Sequence, residues 1–296
     1  MAQTIRLAAG DLTAEVVPHM GAGLASFDLL DRPLFRRWNG AADPFELASI
    51  LLLPWSNRVS GGGFIHQGQF HPLEPNLIEP LPIHGNGFQL RWQVAGCSAD
   101  LVELRTVSDG PGPYKYSAAV RYSLTPSGLR MELAVTNEGD HPLPFGLGFH
   151  PWLVRTPQTM LTMETEAVWL ENTQHLPDTL VPVATKPAWD FRRSRLLPAG
   201  WINNAFSWRE QQAIVEWLDI GVSMAVKAAP ELRWSIIYSP SARANFFCFE
   251  PVTHPVDAYW LPGGGAANGM AVLAPRAQTA VWAEFNIVRR TALVDP

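Results

Sequence analysis

The chain reads as all-β, a large single-domain antiparallel β-sandwich spanning residues 1–296, and three observations predict it. The 26 prolines and 23 glycines are spread along the whole length, which punctuates the chain into short segments joined by turns. Apolar and polar residues alternate in several windows, the period of a strand with one buried side. No window sustains the periodicity of a long amphipathic helix.

Residues 5–17 read as two strands about a turn at Gly10-Asp11, with Leu12, Ala14 and Val16 alternating. A glycine-opened strand follows over 21–30, closed by a turn at 31–33. Residues 48–53 form a short apolar run ended by Pro54. The triple Gly61-Gly62-Gly63 is a tight connection, because no Lys-Ser/Thr pair follows it as a phosphate-binding loop requires. Windows 101–107, 118–124 and 129–136 alternate as neighbouring strands, with a hairpin turn expected at Ser127-Gly128. Later strands are expected at 213–218, 221–228, 235–238, 246–249 and 279–288. Segment 186–200 reads as a loop covering one end, and no repeat or linker divides the chain.

Composition narrows the function. With 47% apolar and 17% charged residues, the chain can bury a substantial core and remain soluble. A formal net charge of −5 argues against nucleic acid or an anionic membrane as partner. No apolar stretch approaches the ~18 residues of a membrane span, and the N-terminal sequence has no basic start followed by an apolar run. The two cysteines, Cys97 and Cys248, are far apart in apolar surroundings and read as buried thiols, which suits a cytoplasmic location.

Four stretches place polar groups beside Pro or Gly at the end of an apolar run: Pro54-Trp55-Ser56-Asn57-Arg58, Pro82-Ile83-His84-Gly85, Gly148-Phe149-His150-Pro151 and Cys248-Phe249-Glu250-Pro251. Proline ends ladder pairing, so Glu250 and His150 are each expected at the mouth of a strand. A carboxylate and an imidazole so delivered can act as a base and an acid. Taken singly, each of these residues would be an ordinary surface or structural group.

Together and in this order, with Phe64, Gly68 and Asn76 between them, these pieces resemble the aldose 1-epimerase (galactose mutarotase) family over residues 50–260. The resemblance implies a galactose mutarotase-like supersandwich with a sugar site in a cleft across one sheet. It implies a cofactor-independent mutarotase that interconverts α and β anomers by opening and reclosing the pyranose ring. In that chemistry Glu250 would be the base, His150 the acid and His84 a hydrogen-bonding support near the ring oxygen. Arg58, held beside Asn57, would bind sugar hydroxyls through its planar fork of donors. The pull of Glu250 on the imidazolium is expected to outweigh burial and keep His150 protonated near neutrality.

One position departs from the family pattern. The aspartate that many members carry ahead of an aromatic falls here at Asn203, in Ile202-Asn203-Asn204-Ala205-Phe206. Asparagine still donates and accepts, but carries no charge. Among the nearby aromatics Trp55, Trp152, Trp201 and Phe206, Trp152 is expected to stack on the sugar. His66, His71 and His84 match no familiar metal-ligand spacing, so no metal is assigned. Two alternatives stand: a hexose-6-phosphate epimerase, for which Arg91, Arg192 and Arg193 are available cations, and a non-catalytic carbohydrate-binding protein. The expected partner is a small sugar, with the chain a monomer or homodimer.

Overall fold

The computed structural model describes residues 4–289. Two large antiparallel sheets enclose the main core, one of eleven strands and one of nine among the described residues. The middle of the larger sheet runs, in spatial order, Ser49–Leu52, Gly148–Val154, Phe246–Val252, Trp234–Ser239, Ile202–Ser207 and Ala167–Glu171. The smaller sheet contains Leu101–Ser108, Tyr116–Thr125, Gly128–Asn137 and Gln278–Arg289, paired in near-continuous register. No described helix is long and apolar enough to cross a membrane.

The central strands of the larger sheet are covered on both faces, so their sequences read as continuous apolar runs. Phe247, Phe249, Phe149, Leu153, Leu51 and Leu53 enter the core between the sheets. Their neighbours in sequence, Cys248, Trp152, Ile50 and Leu52, join a second apolar cluster on the opposite face with Phe88, Leu47 and Ile236. Each fully buried Leu or Phe contributes about 1.5–3 kcal/mol. The second cluster is small, and the polar groups of the site emerge from it.

Two expectations need correction here. The strand carrying Glu250 does not end at Pro251: it continues to Val252, with Glu250 paired to Ile236 and Pro251 to Ser235. The strand carrying His150 likewise runs on to Val154. Both residues therefore lie mid-strand near the centre of the sheet rather than at strand mouths. The prolines are tolerated because the ladder between these two strands opens there. It is paired at Gly148 with Val252 and again from Trp152 with Cys248, and the prolines fall in the interval, where no N–H is needed. The same register sets His150 directly opposite Glu250.

The 116–125 hairpin turns at Pro126-Ser127, with Thr125 already paired to Gly128, one residue earlier than expected. Gly128 is required by close approach instead: a Cβ there would lie 2.4 Å from the Phe285 carbonyl oxygen. Cys97 is exposed, at the end of the edge strand Gln93–Cys97, while Cys248 is buried. Segment 186–200 contributes Arg195–Leu196, which pairs with the Thr159–Met163 strand at the edge of the smaller sheet.

Candidate active site

A cleft of about 220 Å³ opens on the outer face of the larger sheet, over the second apolar cluster. Its floor is the His150–Glu250 pair. His150 Nε2 lies 3.3 Å from Glu250 Oε1, and both side chains are nearly inaccessible. The remaining polar atoms, His150 Nδ1 and Glu250 Oε2, are buried without hydrogen-bond partners. Unsatisfied buried polar atoms are costly and rare in folded proteins, so a facing pair that carries two of them marks a candidate functional site.

Burial dominates the electrostatics of this pair. It lowers the His150 imidazole to about 3, opposed in part by the residue's own backbone carbonyl and reinforced by the Arg36 guanidinium. It pushes the Glu250 carboxyl well above the usual carboxylate range, against the smaller pull of Arg58. The expectation that the carboxylate would hold His150 protonated is thus overturned. In the unliganded cleft both groups favour their uncharged forms, because desolvation of a charge outweighs the attraction across 3.3 Å.

One wall is the Asn57-Arg58 turn and the His84 turn, locked to each other. Asn57 N–H donates to His84 Nδ1 at 3.0 Å, and His84 N–H donates to the Asn57 carbonyl at 3.0 Å. An Nδ1 that accepts fixes the neutral tautomer with its proton on Nε2, and burial holds the ring neutral. The His84 ring sits 5.3 Å from that of His150, edge to face. Asn57 and His84 both take left-handed backbone, at φ 59° and 60°, a cost tolerated where the surrounding contacts dictate it. Gly85 follows at φ 65°, where a Cβ would lie 2.0 Å from the Leu53 carbonyl oxygen.

Asn76 clamps this turn from behind. Its side chain accepts from Ile83 N–H and donates to the carbonyls of Ile83 and Gly85, at 2.9, 2.8 and 2.6 Å. Asn76→Ala removes all three bonds and should destabilise the protein by about 1–3 kcal/mol, measured as a lowered urea midpoint. His254, which the sequence reading did not single out, backs the neighbouring residue. Its Nε2 accepts from Ser56 N–H at 3.1 Å and its Nδ1 faces the Pro255 carbonyl at 2.8 Å. Gly146 makes room for that ring, since a Cβ would lie 2.2 Å from His254 Nε2.

Comparison with known proteins bears on this arrangement. The sequence profile described as Aldose 1-epimerase matches residues 3–265. The chain belongs to the aldose 1-epimerase family. It is 30% identical to the uncharacterized protein YphB of Escherichia coli K12 over 246 residues, 81% of this chain and 84% of that one. A crystal structure from Escherichia coli K12, provisionally described as an aldose 1-epimerase, superposes with a TM-score of 0.90 at 28% identity, covering 97% and 99% of the two chains. A galactose mutarotase-like protein from Clostridium acetobutylicum shares the fold at a TM-score of 0.85 and 16% identity, covering 97% and 95%.

The other residues singled out from the sequence distribute unevenly about the epimerase-family cleft. Arg58, Asn57, His84, His150, Trp152, Asn203 and Glu250 all line it. Trp152 does not offer a free ring face: His150 stacks on it at 4.0 Å, and the Arg36 guanidinium lies over the ring at 4.8 Å. It serves as a buttress for the imidazole, and Trp201, 46% exposed in the same cleft, has the accessible ring. Trp55 and Phe206 point into the core between the sheets.

Arg58 is held by a bidentate pair with Glu79, Nε and Nη2 each donating at 3.0 Å, which leaves its remaining N–H groups for a ligand. The cations weighed for a phosphate are elsewhere. Arg192 is bound to Asp190 at 2.8 and 2.6 Å. Arg91 lines a hollow of about 560 Å³ on the outer face of the smaller sheet. Arg193 is not among the cleft residues. His150, Cys248 and Glu250 bring three possible metal-ligand atoms within 4.8 Å of one another, but burial raises the Cys248 thiol well above its usual range, which opposes the thiolate a metal requires.

Sequence reasoning missed Phe45, Glu79, His175 and Tyr238, which also line the cleft. Each comes from a segment without a distinctive neighbour in sequence. Only Glu79, an acid ahead of the His84 turn, carried a signal, as a possible partner for Arg58.

Proposed function

We propose that this protein is a cofactor-independent isomerase that interconverts the α and β anomers of an uncharged aldose. The observation that carries the reading is the buried His150–Glu250 pair, opposed at 3.3 Å across a ladder opening on the cleft floor. Beside it stands His84, whose accepting Nδ1 leaves Nε2–H free to donate.

Ring opening moves two protons. Glu250 as carboxylate takes the proton from the anomeric hydroxyl, the C1–O5 bond breaks, and His150 as imidazolium protonates the ring oxygen. The pair then holds a neutral carboxyl and a neutral imidazole, the forms that burial favours in the unliganded cleft. Rotation about C1–C2 followed by the reverse transfers recloses the ring on the other face and restores the ion pair. One proton stays on the pair throughout, so the cycle requires no exchange with solvent. Hydrogen bonds from a bound sugar to the His150–Glu250 pair would favour the charged forms at the start of the cycle. His84 Nε2–H is suited to support the ring oxygen, and the free N–H groups of Arg58 to bind hydroxyls.

The absence of an unpaired guanidinium among the described cleft residues favours a neutral sugar over a hexose 6-phosphate. Two free thiols, one of them exposed, fit a reducing cytoplasm. The test is anomer equilibration followed by polarimetry or NMR for glucose, galactose, other aldoses and glucose 6-phosphate. Equilibration of at least one free aldose faster than in buffer is expected. Activity on glucose 6-phosphate alone would overturn the choice of substrate, and activity on none would overturn the enzyme.

A further inference from the structure

A second wall of the cleft is built around a carboxylate that does not itself line it. Glu171 ends the Ala167–Glu171 strand and lies on the same face as Trp169, which packs on the second apolar cluster. The pair Val168–Phe206 fixes the register with the neighbouring strand and sets Glu171 opposite Asn203. The register shift between Leu170 and Glu171 skips Asp178 on the neighbouring Pro177–Pro182 strand, so Glu171 keeps the alternation that sets it on the Trp169 face.

Glu171 engages three groups that do line the cleft. Trp201 Nε1–H donates to Oε1 at 2.5 Å, Asn203 Nδ2–H donates to Oε2 at 2.8 Å, and His175 Nδ1 lies 2.7 Å from Oε2. His175 sits in left-handed backbone at φ 60°, in a turn pinned by Asn172, whose side chain accepts from the N–H groups of Gln174 and Leu176. The Trp201 ring lies 5.6 Å from His175 and meets Tyr238 edge-on at 5.3 Å. A half-exposed indole, an amide and an imidazole are thus oriented by one acceptor. An aromatic face with flanking polar groups is the chemistry that recognises a sugar ring and its hydroxyls.

We propose that Glu171 is the positioning residue of a sugar-recognition wall formed by Trp201, Asn203 and His175, and that this wall sets which aldose the cleft accepts. The inference rests on the isomerase reading for its substrate class, but its test includes binding without turnover. A 1-deoxy hexose lacks the anomeric hydroxyl, so it can occupy the cleft and cannot react.

Two measurements are made together: Kd for 1-deoxyglucose and 1-deoxygalactose by calorimetry, and KM and kcat for the parent aldoses. Glu171→Ala is expected to raise Kd and KM by about tenfold or more, as loss of charge-assisted bonds does, with kcat changed by less than about threefold. Asn203→Asp alone should weaken binding similarly, because it sets two carboxylates face to face. The double variant Glu171→Gln with Asn203→Asp moves the carboxylate to the opposed strand position and should recover most of the affinity. A merely structural role would make the two changes additive, without recovery. Unchanged Kd and KM in Glu171→Ala, or no recovery in the double variant, would overturn the proposal. Wild-type protein that binds a 1-deoxy hexose but equilibrates no aldose would overturn the isomerase reading and leave the wall to be judged on Kd alone. Wild-type protein that binds neither 1-deoxy hexose would overturn the wall.

Discussion

Glu250→Gln is expected to lower kcat for aldose equilibration by about 10²–10⁴-fold, the usual contribution of a general base, while raising the thermal midpoint. Both effects have one cause. Gln keeps the size of Glu250 and can still donate toward His150 Nε2, but cannot take up a proton. In the folded protein burial holds the Glu250 carboxyl well above its ordinary range, whereas in the unfolded chain it ionises near ~4.3. A raised folded value means the stabilising contribution is complete below the unfolded value and is lost as pH rises toward the folded one. At neutral pH ionisation of Glu250 therefore favours unfolding, and the substitution removes that penalty. Activity and stability trade off at this residue, as they do where a site demands an unfavourable burial. Near-normal kcat would remove Glu250 from the mechanism, and a lowered midpoint would show that its carboxyl is not held under strain.

Acidification should unfold the protein earlier than its carboxylates alone would dictate. Burial depresses His254 to about 4 and His150 to about 3, and lowers His84 well below 6.5. A depressed folded value means stability is complete above the unfolded value, near ~6.5, and falls as pH drops toward the folded one. For His254 alone that window amounts to roughly 3 kcal/mol. Glu250 opposes one imidazole in the same range, because its folded form retains a proton that the unfolded form releases. The His150–Glu250 pair therefore nearly cancels, leaving His84 and His254. Urea unfolding between pH 6 and 5 should show stability falling as pH drops, with His254 alone accounting for close to one proton, about 1 kcal/mol per pH unit. His254→Gln should make that fall shallower by about the same amount. A stability that stays flat across this range would mean that the imidazoles are not buried in neutral form.

Much of the molecule was legible in the order of its residues. Alternation in 101–107, 118–124 and 129–136 marked three strands of the smaller sheet correctly, because those strands have one buried face and the period of two survives. His84, His150, Glu250 and the Asn57-Arg58 pair were legible as ordered motifs beside Pro and Gly, and the fold brings all five to one cleft. Gly85 was legible only as part of its motif; the reason for it, the close approach of the Leu53 carbonyl, belongs to the fold.

What tertiary structure decided is where those motifs sit and which proton forms they prefer. A proline after Glu250 is a local stop signal, yet the strand continues, because the neighbouring ladder opens at that point and no N–H is missed. Cys248 and Glu250 share a face that Phe247 and Phe249 do not, but with both faces buried no polar alternation betrays it. Attraction between a histidine and a glutamate can be guessed from their types, whereas the burial that overrides it depends on the second apolar cluster around them. Glu171 and Asn203 are 32 positions apart and become partners only through strand register. Local chemistry is written along the chain, but desolvation and cross-strand pairing are properties of neighbours that the chain brings together only on folding.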